Sequence, residues 1–274
     1  VVEQPCGGLP PGERMTLVLG LDIFDLSGIW QYAVTAEADR DCPFEDFVRW
    51  KPTGLYNAML APCFPYAVRA VLWYQGESNT GDYAMRYGDE LKAMIELWRG
   101  KWHQPDMPFL IVQLPKFGID AIEDGGWPLI REQEWRVADE LEHVAAVVTL
   151  DAGESNDLHP HDKKTIADRA FNVAMDFVYG QQAQPQPVVE TAEADDGLLR
   201  MHCVWRNSMG EQMQSQNRHL MTLDGDVPRE IDFLWHDCAT SVRAEAWLDG
   251  CDIVARIPSR MPDEVRYAWS NSPE

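Results

Sequence analysis

Between Trp50 and Tyr179 the apolar residues switch repeatedly between short unbroken runs and a spacing of three and four, and this switching constrains the fold most. Ala70 to Tyr74 is an uncharged run of the kind shown by a strand buried on both faces. Tyr83, Tyr87, Leu91, Met94, Ile95 and Trp98 then recur at helical steps, with Gly100 placed to stop the helix. Phe109 to Leu114 is a second buried run, closed by Pro115, and a helix is expected from Pro128 to about Leu141. Val144 to Leu150 is a third run ending at Asp151. In the last helix, Lys163 to Tyr179, Ile166, Ala170, Val173, Ala174 and Phe177 share one side. Before them, Thr53 is placed to cap a helix carrying Leu55, Tyr56, Met59 and Leu60. Strand–helix repeats of this length predict an α/β fold, a parallel sheet flanked by helices.

The flanks read differently. Residues 1–12 are rich in Pro and Gly, and Met15 to Leu19 and Ile29 to Val34 are strand-like runs followed by an acidic connector to about Arg49. Residues 181–187 read as a linker. Beyond it, Leu198–Trp205, His219–Leu223, Ile231–Trp235, Val242–Leu248, Ile253–Ile257 and Val265–Trp269 are short alternating runs, with a hairpin turn at Leu248-Asp249-Gly250. Such spacing predicts a small β-sandwich over 188–274.

A net charge of −22, from 45 acidic against 23 basic residues, repels phosphate backbones and anionic lipid. Nucleic acid and membrane surfaces are therefore poor partners, and no apolar run reaches the ~18 residues a membrane helix needs. The cysteines stand singly, without metal-ligand spacing, so no metal is expected. Unpaired-looking cysteines and the lack of a leader-like segment favour a cytoplasmic setting. Both ends of the chain have the look of cuts.

Two turns carry candidate chemistry, each at the carboxyl end of an expected buried strand, where open α/β sheets place ligands. The first is Gln75-Gly76-Glu77-Ser78-Asn79. Its amide donors suit a developing oxyanion, and Asn79 or Thr80 can cap the following helix. Gly76-Glu77-Ser78 has half of a nucleophile elbow, but Thr80 stands where that motif needs glycine. The second is Asn156-Asp157-Leu158-His159-Pro160, where Asp157 is spaced to fix the His159 tautomer for general-base work. His161 and Asp162 adjoin it without an evident role. A glycosidase using Glu77 and Asp157 as paired carboxylates is an alternative.

Several segments resemble the sialate O-acetylesterase family, a branch of the SGNH-hydrolase fold. They are Trp73 to Asn79, Pro52 to Pro62, Met94 to Arg99, Pro108 to Pro115, Leu129 to Gln133, Asp157 to Lys164 and Val265 to Pro273, in matching order. The resemblance implies an SGNH-like (flavodoxin-like) parallel sheet over 50–180, incomplete at its N-terminal side. Residues 1–49 would be the tail of a β-rich module, and 188–274 the β-module of bacterial members. It further implies serine-type deacetylation of O-acetylated sugars without metal or other cofactor. His159 would be the base and Asp157 its orienter, with Gln75, Gly76 and Asn79 in the oxyanion block. Glu77 and Arg131 are candidates for substrate binding, although for Arg131 bracing the sheet is the favoured role. The family's nucleophile block has no counterpart upstream of Trp73, where the hydroxyls in question are Ser27 and Thr53, and Ser78 belongs to the oxyanion block. The resemblance thus implies the C-terminal part of a longer enzyme, nearly inactive alone. A non-catalytic sugar-binding protein, using some of the 11 tryptophans for stacking, is the contrasting possibility.

Overall fold

The computed structural model describes residues 16–19, 22–25, 52–118, 126–181, 184–213, 218–222, 225, 227–238 and 240–273. Contacts divide the chain into two compact units, Val1–Asn57 and Ala58–Glu274. In the first unit β1 (Thr16–Leu19) pairs antiparallel with β2 (Asp22–Asp25). The expected Ile29–Val34 strand and Ser27 lie outside the described residues. Tyr56–Leu60 is a single π-helical turn and Ala61–Cys63 a 3-10 turn, so the expected helix is reduced to these.

The second unit contains β3 (Val71–Trp73), α1 (Tyr87–Trp102), β4 (Phe109–Val112), α2 (Trp127–Glu140), β5 (Val144–Val147) and α3 (Lys163–Phe177). The strands form a parallel sheet in the order β3-β4-β5. The central strand β4 is buried throughout, and its side chains alternate between two cores. Phe109 and Ile111 join Tyr87, Leu91, Ile95, Trp127, Ile130 and Val137 on the α1/α2 side. Leu110 and Val112 join Val147, Ile166, Ala170 and Val173 on the α3 side.

β3 departs from the expectation of burial on both faces. Trp73 packs edge-on against Trp98, with centroids 5.8 Å apart, but Leu72 is 57% exposed. The reason is position: β3 is an edge strand of this sheet, and α3 packs on β4 and β5. The helix at Gly100 also runs on, ending when His103 adopts a left-handed φ of 54° and its N–H returns to Arg99 and Gly100. A glycine tolerated inside a helix was read as its end, while Trp102 beyond it packs on Phe64.

The remaining strands are β6 (Gln186–Asp195), β7 (Leu198–Arg206), β8 (Ile231–Leu234), β9 (Val242–Arg243), β10 (Glu245–Asp249), β11 (Asp252–Arg256) and β12 (Glu264–Tyr267). They form two antiparallel sheets, β10-β11-β7-β6 and β12-β8-β9. Leu199, Met201, Ala246 and Ala255 from the first share one core with Ile231 and Phe233 from the second. The expected Val242–Leu248 run is split between β9 and β10, which lie in different sheets. β6 begins inside the expected linker; nearly all its residues are exposed, so it carries no hydrophobic signal. Residues 218–222 form no strand, although His219–Leu223 alternates in a strand-like way.

The α/β layer and the antiparallel sheets are stitched together. Arg131, buried on α2, donates through Nε to the Leu114 carbonyl at 2.9 Å, and through its terminal nitrogens to Ser270 (2.9 Å), Asn271 (2.7 Å) and Pro115 (3.5 Å). The Phe117 N–H also donates to the Asn271 carbonyl at 3.0 Å.

Candidate active site

A parallel sheet sends all its strand ends to one rim. The turns after β3, β4 and β5 therefore leave the same edge, and β3 and β5 are only two strand spacings apart, about 10 Å. Lys163, at the start of α3, places its ammonium 5.4 Å from the Tyr74 ring centroid. This cation–π contact joins the residue before Gln75 to the helix that opens four residues after His159.

The turn after β3 is shaped by Gly76, which is buried with φ +157° and ψ −12°. A Cβ there would meet Ile130 Cγ2 at 2.8 Å, Glu134 Oε1 at 3.3 Å and the Tyr87 hydroxyl at 3.4 Å. Only hydrogen fits beneath this turn. Tyr87 holds it from α1: its hydroxyl donates to the Gln75 carbonyl at 2.5 Å and accepts from Trp73 Nε1 at 3.1 Å. The turn's donors are partly satisfied within it. Gln75 Nε2 donates to Asn79 Oδ1 at 2.8 Å, and the Gly76 N–H to Glu77 Oε2 at 2.9 Å. A carboxylate oxygen thus occupies the Gly76 N–H. Asn79 Nδ2 has no acceptor among the described residues. Glu77–Asn79 and Gly81–Arg86 are 3-10 turns without side-chain caps, so neither Asn79 nor Thr80 caps α1.

The turn after β5 is tied down at several points. Lys116 and Gly118 donate their N–H groups to Ala152 (3.1 Å) and Ser155 (2.7 Å). Asp157 accepts the His159 backbone N–H through Oδ1 at 2.8 Å, while its Oδ2 faces His161 Nδ1 at 3.5 Å. The carboxylate therefore positions His159 through its main chain, not through the ring as the spacing suggested; an Asx turn competes for the same oxygen. The His159 imidazole is exposed and has no hydrogen bond among the described residues. Glu154 was not singled out in the sequence; its Oε1 accepts from the His161 N–H at 3.0 Å. Glu154, Asp157 and His161 bring ligand atoms within 4.8 Å of one another, the spacing a cation would need. Asp162 has a clear role as the α3 N-cap, accepting from Lys164 and Thr165 N–H at 3.1 Å each.

Asp151, at the end of the third run, pairs bidentately with Arg169 of α3 at 2.5 and 2.7 Å. The Arg169 hydrogen bonds hold this carboxyl below the usual carboxylate range. Its stabilisation is therefore present at neutral pH and lost as pH falls through the depressed value. Because both side chains are partly exposed, Asp151→Asn is expected to cost at most about 1 kcal/mol in urea unfolding at neutral pH, and the gap to wild type should close in acid.

Arg131 is placed as the bracing role has it. Its guanidinium donates to main-chain carbonyls, so bracing is the role its geometry serves. Tyr87 and Glu134 were missed as site residues. Tyr87 read as an ordinary helix aromatic. Glu134 had a usable signal, since it completes the stripe of Trp127, Ile130 and Val137 at a core position.

The chain is similar to several known proteins. Residues 45–169 match the family model described as carbohydrate esterase, sialic acid-specific acetylesterase. Sialate O-acetylesterase of Mus musculus is 30% identical over 86% of this chain and 47% of its own length. The Homo sapiens sialate O-acetylesterase is 30% identical over 55% of this chain and 33% of its own length. A carbohydrate acetylesterase from Xanthomonas citri has a crystal structure similar at a TM-score of 0.68, with 30% identity, covering 80% of this chain and 49% of that one. The chain thus spans about half the length of the mouse relative it matches. The family that its motifs resemble is thus the one whose model, carbohydrate esterase, sialic acid-specific acetylesterase, residues 45–169 match.

Proposed function

We propose that this chain supplies the general base and the oxyanion-binding turn of a serine-type carbohydrate O-acetylesterase with an SGNH-like layer, acting on O-acetylated sugars of the sialic acid type. The observation that carries this reading is the shared rim, with Tyr74 and Lys163 linking the Gln75–Asn79 and Asp157–His159 turns. In the reaction a serine hydroxyl attacks the acetyl carbonyl and His159 takes its proton. The oxyanion displaces Glu77 from the Gly76 N–H and gains the Asn79 Nδ2 amide. His159 then protonates the departing sugar oxygen, and water, activated by the same imidazole, releases acetate. The nucleophile is assigned to a serine outside residues 58–273, because Ser78 belongs to the donor turn.

The test is turnover of an aryl acetate and of O-acetylated sialic acid by the active protein that carries the nucleophile serine. His159→Ala is expected to lower turnover by about a thousandfold or more without changing the circular dichroism, since the ring is exposed. Asp157→Asn keeps an acceptor for the His159 N–H and should retain more activity than Asp157→Ala. Robust turnover by this chain that Ser78→Ala abolishes would overturn the assignment of the nucleophile.

A further inference from the structure

The least expected group near the donor turn is Glu134. Its side chain is fully buried on α2. Oε2 accepts the Leu114 N–H at 2.9 Å, whereas Oε1 has no hydrogen-bond partner among the described residues and lies 3.3 Å from where a Gly76 Cβ would stand. A buried carboxylate with one oxygen unpaired is expensive, so a proton there is favoured over a charge.

The surroundings support the neutral form. Burial is the leading influence and pushes the carboxyl well above the usual range, with Glu77 adding to it; the Leu114 N–H and Arg131 pull the other way. Arg131 is itself committed to carbonyls. The other titratable groups facing this space, Tyr74 and Tyr87, are raised by burial and stay neutral.

We propose that Glu134 is a positioning residue for the donor turn: as a neutral acid it fills the underside of Gly76 and keeps negative charge from behind the Gly76 N–H. A charge there would oppose the negative charge that develops on the oxyanion. The same carboxyl ties α2 to the start of the turn after β4 through Leu114, so one proton keeps three elements in register. This role rests on Gly76 being an oxyanion donor, but the protonation and its effect on Gly76 do not need any ester to be turned over.

The experiment therefore has two arms. In the first, the Gly76 amide resonance is followed by NMR against pH in wild type, Glu134→Gln and Glu77→Gln. Wild type is expected to show a transition above the ordinary carboxylate range that survives Glu77→Gln and vanishes in Glu134→Gln. A protonated-carboxyl infrared band at neutral pH should be present in wild type and absent in Glu134→Gln. Because the folded protein holds this proton more tightly than the unfolded chain, the stabilisation is complete in acid and lost as pH rises through the raised value. The melting temperature of Glu134→Gln should thus gain on wild type as pH rises above the ordinary carboxylate range. A Gly76 resonance that titrates identically in wild type and Glu134→Gln overturns the proposal.

In the second arm, kcat for an acetyl ester in the active protein should fall in alkali for wild type. Glu134→Gln should hold kcat within about threefold across that range, and Glu134→Leu, which strands the Leu114 N–H, should lose about tenfold or more at every pH. If the first arm behaves as expected and no ester is turned over, the functional reading fails and the Glu134 assignment stands.

Discussion

Gly76→Ala is expected to destabilise the protein by about 2–4 kcal/mol and to lower acetyl-ester turnover by about a hundredfold or more. The new methyl would sit 2.8 Å from Ile130 Cγ2, closer than real contacts allow, and on a backbone conformation that side chains avoid. Ile130 cannot yield easily, being wholly buried among Tyr87, Ile95 and Ile111. The strain must instead move the turn, and with it the Gly76 N–H. Gly81→Ala is the control: its φ of +75° is equally unusual, but nothing lies within 4 Å of an added Cβ. It should cost only about 1 kcal/mol of backbone strain. Urea unfolding of both variants measures the difference, and equal losses would show that packing under Gly76 is not tight.

Arg131→Met should be the most destabilising single change, at about 3–5 kcal/mol in urea unfolding and a fall of about 10 °C in melting temperature. Burial pulls the guanidinium pKa down to about 10, so it is still a cation at neutral pH. Its value lies in the fixed fork of donors: Leu114, Ser270 and Asn271 are reached at 2.7–2.9 Å by one planar group. Methionine leaves those carbonyls without this donor, the Leu114 carbonyl in a buried site. Arg131→Lys should recover less than half of the loss, because one ammonium cannot satisfy acceptors on two separate segments. Full recovery by lysine would mean that charge, and not geometry, is what the site needs.

The sequence was most legible where one side chain period dominates. β4 and its neighbours, α1 to α3 and most of the antiparallel strands appear within a few residues of their expected places, because each buries a stripe or a whole run. It was least legible where a backbone is held by something other than its own apolar residues. β6 pairs with β7 while exposing nearly all its side chains. Leu72 looked buried because an edge strand has the same composition as a central one. At the site, spacing placed Asp157 and His159 together but not which atoms meet, since an aspartate two residues upstream can reach either the ring or the main-chain N–H. The role of Arg131 depended on partners 139 and 140 residues away, a separation no local pattern encodes.

That separation has a consequence for biosynthesis. At ~5–20 residues per second, the ribosome adds Ser270 and Asn271 roughly 7–28 seconds after Arg131. During this interval the α/β layer lacks two of the acceptors for a buried cation, which leaves that part of the guanidinium exposed to water. Synonymous codons that slow translation between positions 131 and 270 should prolong that exposure and lower soluble yield, without altering a single contact in the finished molecule.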